Sequence, residues 1–128
     1  MAETGTVARA VPVAAALDVT AVLVFAAVGR RAHAEGLAVV GVLEVAAPFL
    51  VGLLAGWVAG RAWRAPLRMP AGATVWLATA AVGLALRAAV THRLPVSFVA
   101  VATVSLGVFL VGWRAVTLAV LHVRHRTP

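Results

Sequence analysis

Four stretches of this chain are each long and apolar enough to cross a bilayer as a helix. That pattern constrains the fold more than any motif does. Crossing about 30 Å of hydrocarbon takes roughly 20 apolar residues at about 1.5 Å each, with a working range of about 17–25. The stretches run over about 11–28, 37–60, 74–90 and 96–121. Only short connections separate them, at 29–36, 61–73 and 91–95. Short connections make sequential neighbours antiparallel. The expected architecture is an all-α membrane protein: four transmembrane helices in an up-down-up-down bundle, one domain over residues 1–128. The apolar/polar alternation of an outer-membrane strand is absent from the sequence.

Composition points the same way. Hydrophobic residues make up 63% of the chain and charged residues 12%, against about 25% charged in a soluble domain. So little charge cannot coat a water-facing surface, which excludes a disordered chain and argues against a soluble domain. The chain has no cysteine, so disulfides, thiol redox chemistry and thiolate metal sites are excluded. Eleven basic residues, all arginine, face four acids, for a formal +7. In a soluble protein this balance would suggest nucleic acid. Here the arginines cluster at span ends, where they set orientation and meet anionic lipid. The expected partner is therefore the bilayer and not nucleic acid.

Orientation follows from the same residues. The side bearing both termini and the middle connection carries Arg9, Arg61, Arg64, Arg68, Arg124 and Arg126. The opposite side carries Arg30, Arg31 and Arg93. The positive-inside rule then places both termini in the cytoplasm and the protein in the cytoplasmic (inner) membrane. Trp57, Trp63, Trp76 and Trp113 fall at the same end and read as an interfacial belt. Ala32-His33-Ala34 has the small-x-small form of a cleavage site. Asp18 breaks the apolar run before it, however, and Arg30 and Arg31 follow that run, whereas a signal peptide carries its positive charge ahead. The first span is expected to stay.

Packing signals lie on the second and third spans. Gly52, Gly56 and Gly60 repeat every four residues, giving a bare helix face that serves either intramolecular packing or a dimer seam. Thr79, Gly83 and Arg87 form a similar stripe. Pro48 is expected to kink or loosen the second span and free a carbonyl near Glu44. Thin helices rich in Ala and Val enclose little volume, which favours a homo-oligomer as the way to build a cavity.

Each ionisable residue in mid-membrane costs about 2.5–3.5 kcal/mol, so each needs a partner or a role. Counting along the helices puts Asp18 and Arg114 at comparable depth on the inner side. On the outer side Glu44 lies about seven residues, roughly 10 Å, below the start of its span, and Arg87, within a turn of the end of its own, can reach toward it along the helix. Two ion pairs are expected, Asp18 with Arg114 and Glu44 with Arg87, joining the first hairpin to the second. They are either static staples or part of an ion or solute path. The outer connection holds Arg30, Arg31, His33 and Glu35 between glycines. It reads as a small-anion mouth, a proton relay, a pH sensor or a solvated turn. His122 and His125 have no third ligand nearby, so no metal and no cofactor is expected. Ser97 and Ser105 are isolated, and no Gly-x-Ser-x-Gly, His-Glu-x-x-His or phosphate-binding glycine loop occurs, so no enzyme is expected.

Several of these residues carry a family resemblance. Asp18, the Gly29-Arg30-Arg31-x-His33-x-Glu35-Gly36 loop, Ala47-Pro48-Phe49, Arg87, Ser97-Phe98 and Gly112-Trp113-Arg114 together resemble a family of small actinobacterial and haloarchaeal membrane proteins, domain of unknown function 3054. The likeness runs from about Leu17 to Arg114. It implies a four-helix membrane protein and brings no assigned activity and no catalytic residues. Size, four spans and an acid in the first span are also similar to the small multidrug resistance transporters, which act as dimers. This chain lacks their Trp/Tyr-rich pattern around that acid, so the analogy is architectural. The functional expectation is a homo-oligomeric channel, transporter or sensor for a small ion or solute. Asp18, Glu44, Arg87, Arg30, Arg31 and His33 would line its path. The alternative is a non-catalytic accessory subunit that docks on a larger membrane complex through its glycine stripe.

Overall fold

Each apolar run becomes a helix in the computed structural model, which describes the backbone of residues 2–32 and 38–126 and the side chains of 9–30 and 38–124. His33 and Glu35 lie outside the described residues, as does the side chain of Arg31. The helices are α1 (Ala2–Ala32), α2 (Val39–Ala59), α3 (Met69–Thr91) and α4 (Val96–Arg126). Each contains a segment long and apolar enough to span a membrane: Arg9–Arg30, Val39–Ala59, Met69–Thr91 and Val96–Arg124. The chain is a multi-pass helical bundle, with no strand among the described residues.

Helix ends depart from the apolar runs where other forces take over. α1 and α4 continue beyond the hydrocarbon-length stretches, over Ala2–Ala32 and Val96–Arg126. α3 starts at Met69, earlier than the apolar run, with Pro70 in its first turn. Proline suits that position, since its missing N–H would be unpaired there anyway. α2 stays continuous through Pro48, where loosening was expected. Pro48 still lacks the N–H that would bond the Glu44 carbonyl one turn back.

The bundle closes in ring order. α2 and α3 form the most intimate pair, α1 and α4 share the thinnest seam, and among the described residues the backbones of the diagonal pairs do not approach closely. The glycine stripe explains the tight pair. A Cβ on Gly52 would sit 2.8 Å from the Thr79 carbonyl oxygen, one on Gly56 2.9 Å from Val75 Cα, and one on Gly60 2.8 Å from Thr74 Cγ2. The stripe is thus occupied by α3 and offers no docking face, which resolves its two readings in favour of intramolecular packing. Phe49 on α2 is the hub of the other half. Its ring fills the notch at Gly83 of α3. It also meets Phe25 of α1 edge-on at 5.1 Å and Phe98 of α4 at 6.4 Å.

The α2–α3 connection folds back under the bundle. Arg61 adopts a left-handed φ of 48°, and a short 3-10 turn follows at Ala62–Arg64. Ala62 and Pro66 are buried there. This end of the bundle, with both termini, is called the terminal end below; the other is the loop end.

In lipid, helices associate through packing and hydrogen bonds, because lipid is as apolar as the side chains. Gly52→Ala and Gly56→Ala press against backbone, which cannot rotate away. Each should therefore cost about 1–3 kcal/mol. Gly112 has open space where a Cβ would stand, so Gly112→Ala should be neutral or stabilise by up to about 1 kcal/mol. Reversible unfolding in mixed micelles reads the difference, and equal effects at all three positions would contradict it.

Candidate functional site

Two polar assemblies occupy the bundle, one at each end. At the terminal end, Ala14, Asp18 and Val22 recur at four-residue spacing on the buried face of α1, which turns the Asp18 carboxylate inward. Leu106, Leu110 and Arg114 do the same on α4. Asp18 and Arg114 are both fully buried, and they meet as a two-pronged ion pair. Arg114 Nη1 donates to Asp18 Oδ1 at 2.8 Å and Nη2 donates to Oδ2 at 2.7 Å. Each carboxylate oxygen takes a second bond from an indole: Trp113 Nε1 to Oδ1 and Trp57 Nε1 to Oδ2, both at 2.8 Å. The guanidinium donates further, from Nε to the Pro66 carbonyl at 2.7 Å and from Nη1 to the Leu110 carbonyl at 2.9 Å. It lies 4.5 Å from the Trp113 ring centre. Gly72 of α3 leaves room for the Arg114 stem.

The assembly ties α1, α2, α4 and the α2–α3 connection together. Among the described residues no buried side-chain nitrogen or oxygen lacks a partner. Its chemistry is that of a staple, because the carboxylate already accepts four hydrogen bonds and is sealed from solvent. Depth counting matches Asp18 to Arg114, but four further partners complete the network: Trp57, Trp113 and the Pro66 and Leu110 carbonyls. Trp57 and Trp113 were read as an interfacial belt and instead point inward. Trp76 also points inward and donates to the Thr103 carbonyl at 2.8 Å, over Gly107. Of the four tryptophans, Trp63 is the exposed one. The belt reading weighed where an indole sits and missed that its N–H, in a dry bundle, must find an acceptor.

The expected Glu44–Arg87 pair does not form. The buried face of α2 carries Ala46, Phe49 and Leu53, and Glu44 stands two residues off it, on the far side of the helix. Glu44 is exposed, with no hydrogen bond or ion pair among the described residues. Arg87 turns the other way, and its guanidinium lies 4.7 Å above the Phe98 ring of α4. Its side chain makes no ion pair and donates no hydrogen bond among the described residues.

Arg87 instead faces the second assembly, a pocket of about 610 Å³ at the loop end. The pocket lies between α1 and α4, the thinnest seam, with Val45 of α2 and the C-terminal turns of α3 completing it. Arg30, Thr91, Arg93 and Ser97 supply its polar part. Phe25, Phe98, Val101 and Phe109 supply most of its apolar body. The Arg30 guanidinium fills the space that a side chain at Gly41 would need. Among the described residues three arginines line this pocket and no acid does; Asp18, Glu44 and Arg114 are not part of it. Forked guanidinium donors match the two oxygens of a carboxylate or phosphate, so the arrangement can hold an oxyanion against a wall of rings.

A family model described as "Protein of unknown function (DUF3054)" matches residues 15–117. The chain belongs to that family. No curated protein and no solved structure matches the chain. The matched segment takes in the Asp18–Arg114 staple and the whole loop-end pocket.

Arg114→Met should leave a buried carboxylate with two indoles and no counter-charge, at a cost of about 3–5 kcal/mol. Asp18→Asn combined with Arg114→Met should recover part of that cost, giving a coupling energy of at least about 0.5 kcal/mol. Unfolding of the single and double variants in mixed micelles provides the measurement. Simple additivity would mean that the two side chains act separately.

Proposed function

We propose that this chain is a membrane protein that binds a small anion or anionic solute in the loop-end pocket and serves as its transporter or sensor. The observation that carries this reading is Arg87, a guanidinium inside a membrane-spanning segment with no counter-ion among the described residues. Arg87 stands one turn from the end of α3, where a charge costs less than at mid-membrane, and a bound anion offsets the cost that remains. Arg30 and Arg93 on the same pocket add attraction of the same sign. In this reading the solute path uses Arg30, Arg87 and Arg93, while Asp18 and Arg114 hold the opposite end closed as a staple. The protein acts without catalysing a reaction.

Location and assembly belong to the same proposal. The larger number of arginines at the terminal end supports a cytoplasmic membrane with both termini in the cytoplasm. Glu44, on the exposed face of α2, supports a homo-oligomer in which a second copy shields or pairs that carboxylate. One observation favours the accessory-subunit reading instead: the dry, fully satisfied network at the terminal end is what a purely structural module needs. In that case the docking face is the exposed apolar side of α2, around Val40, Leu43, Val51 and Leu54.

Thermal unfolding at constant ionic strength separates the two readings. Phosphate, sulfate or acetate should stabilise the wild type, by about 2.7 kcal/mol at a hundredfold excess over Kd. Arg87→Gln should lose that response while staying folded. A wild type that is indifferent to all three anions would favour the accessory subunit.

A further inference from the structure

Beyond its three arginines, the loop-end pocket has a shape. Ser97, Val101, Ser105 and Phe109 all line it. They recur every four residues, so they form one continuous stripe down α4. Twelve residues of helix separate the first from the last, a length of about 18 Å, or more than half of a bilayer core about 30 Å thick. Charge is confined to one end of this trench. Arg93 sits on the α3–α4 connection, Arg30 at the end of α1 and Arg87 one turn inside α3, whereas the far end is walled by Phe25 and Phe109. The trench also opens sideways. Val28 on the α1 lip is 56% exposed and Val101 on the α4 lip 61%. Both lie in membrane-spanning segments, so the surroundings they face are lipid.

We infer that the pocket holds one anionic single-chain amphiphile taken laterally from the bilayer. Its carboxylate or phosphate sits at Arg87, Arg93 and Arg30, and its chain lies along the Ser97–Phe109 stripe. This deepens the anion-binding reading and rests on it. A small hydrophilic anion would use only the charged end and would leave the apolar trench unexplained. A neutral lipid would leave Arg87 without a counter-ion. The volume of about 610 Å³ falls within the range of about 300–1,000 Å³ that holds one drug-sized ligand, which suits one chain and not two.

Native mass spectrometry of the full chain, released from detergent with defined additives, tests this inference. Palmitate and hexadecyl phosphate should each be retained as a single adduct. Hexadecanol has the chain without the charge and acetate the charge without the chain; neither should be retained at the same concentration. Arg87→Gln removes the counter-charge and should weaken palmitate retention by about tenfold or more, the usual worth of a charge-assisted contact. Val101→Trp fills the trench from an exposed helix face, where folding tolerates it. It should weaken palmitate retention to a similar extent. Retention of hexadecanol equal to palmitate, or undiminished palmitate on Val101→Trp, overturns the amphiphile. If acetate and phosphate still stabilise the wild type in that event, the anion pocket survives and only its ligand class falls. If neither small anions nor amphiphiles bind, both fall together.

Discussion

Everything at the terminal end of the bundle is arranged around one requirement, that the Asp18 carboxylate be neutralised in a place without water. Arg114 supplies the opposite charge through two parallel bonds. That alone leaves one lone pair on each carboxylate oxygen and spare N–H groups on the guanidinium. Two indoles, the Leu110 carbonyl and the Pro66 carbonyl take these up. In low dielectric an unmet polar group is costly, so each partner constrains the element that carries it. The fold-back of the α2–α3 connection, with its left-handed Arg61, delivers the Pro66 carbonyl. The bare surface of Gly72 lets the Arg114 stem pass. A single ion pair thereby sets the height of three helices and the path of a connection.

The two ends of the molecule differ in how they use polar groups. At the terminal end Asp18 is paired with Arg114, and among the described residues no buried side-chain nitrogen or oxygen lacks a partner. At the loop end, three arginines line an open seam, with no acid among the described residues there. The difference tracks helix packing. Glycine at every fourth position draws α2 and α3 together, and the staple joins α1 to α4 near the termini. Among the described residues no staple of that kind joins α1 to α4 at the loop end, where space remains. The buried polar network is thus concentrated at one end and the open pocket at the other.

The spans were legible in the sequence because the length of an apolar run is a direct measure of membrane thickness. The Asp18–Arg114 partnership was legible for a related reason, since residue counting gives height in the membrane. The same counting misled for Glu44 and Arg87. Height says nothing about azimuth, and Glu44 stands about 200° around the helix from Ala46, at 100° per residue. Comparing its phase with Phe49 and Leu53 would have exposed the mismatch. The inward tryptophans were hidden because a preference for interfaces and a need for an acceptor point to the same depth. The pocket was the least legible feature. It arises where the first helix meets the last, and no local pattern marks that seam. The four-residue recurrence of Ser97, Val101, Ser105 and Phe109 was readable, but it acquires meaning only once α1 is placed beside it.

The staple also has a consequence for how the protein is made. Asp18 and Arg114 are 96 residues apart in the chain, and synthesis proceeds at about 5–20 residues per second. The acid of the first helix therefore leaves the ribosome roughly 5–20 s before its cation exists. Trp57 arrives earlier, with α2, and offers a first donor. Until α4 is complete, the insertion machinery, lipid headgroups or water must satisfy the rest of that carboxylate. The chain thus commits its least lipid-compatible residue first and its remedy last. Insertion of the whole bundle is a single cooperative act, in which the first hairpin gains its final stability only when the second has arrived.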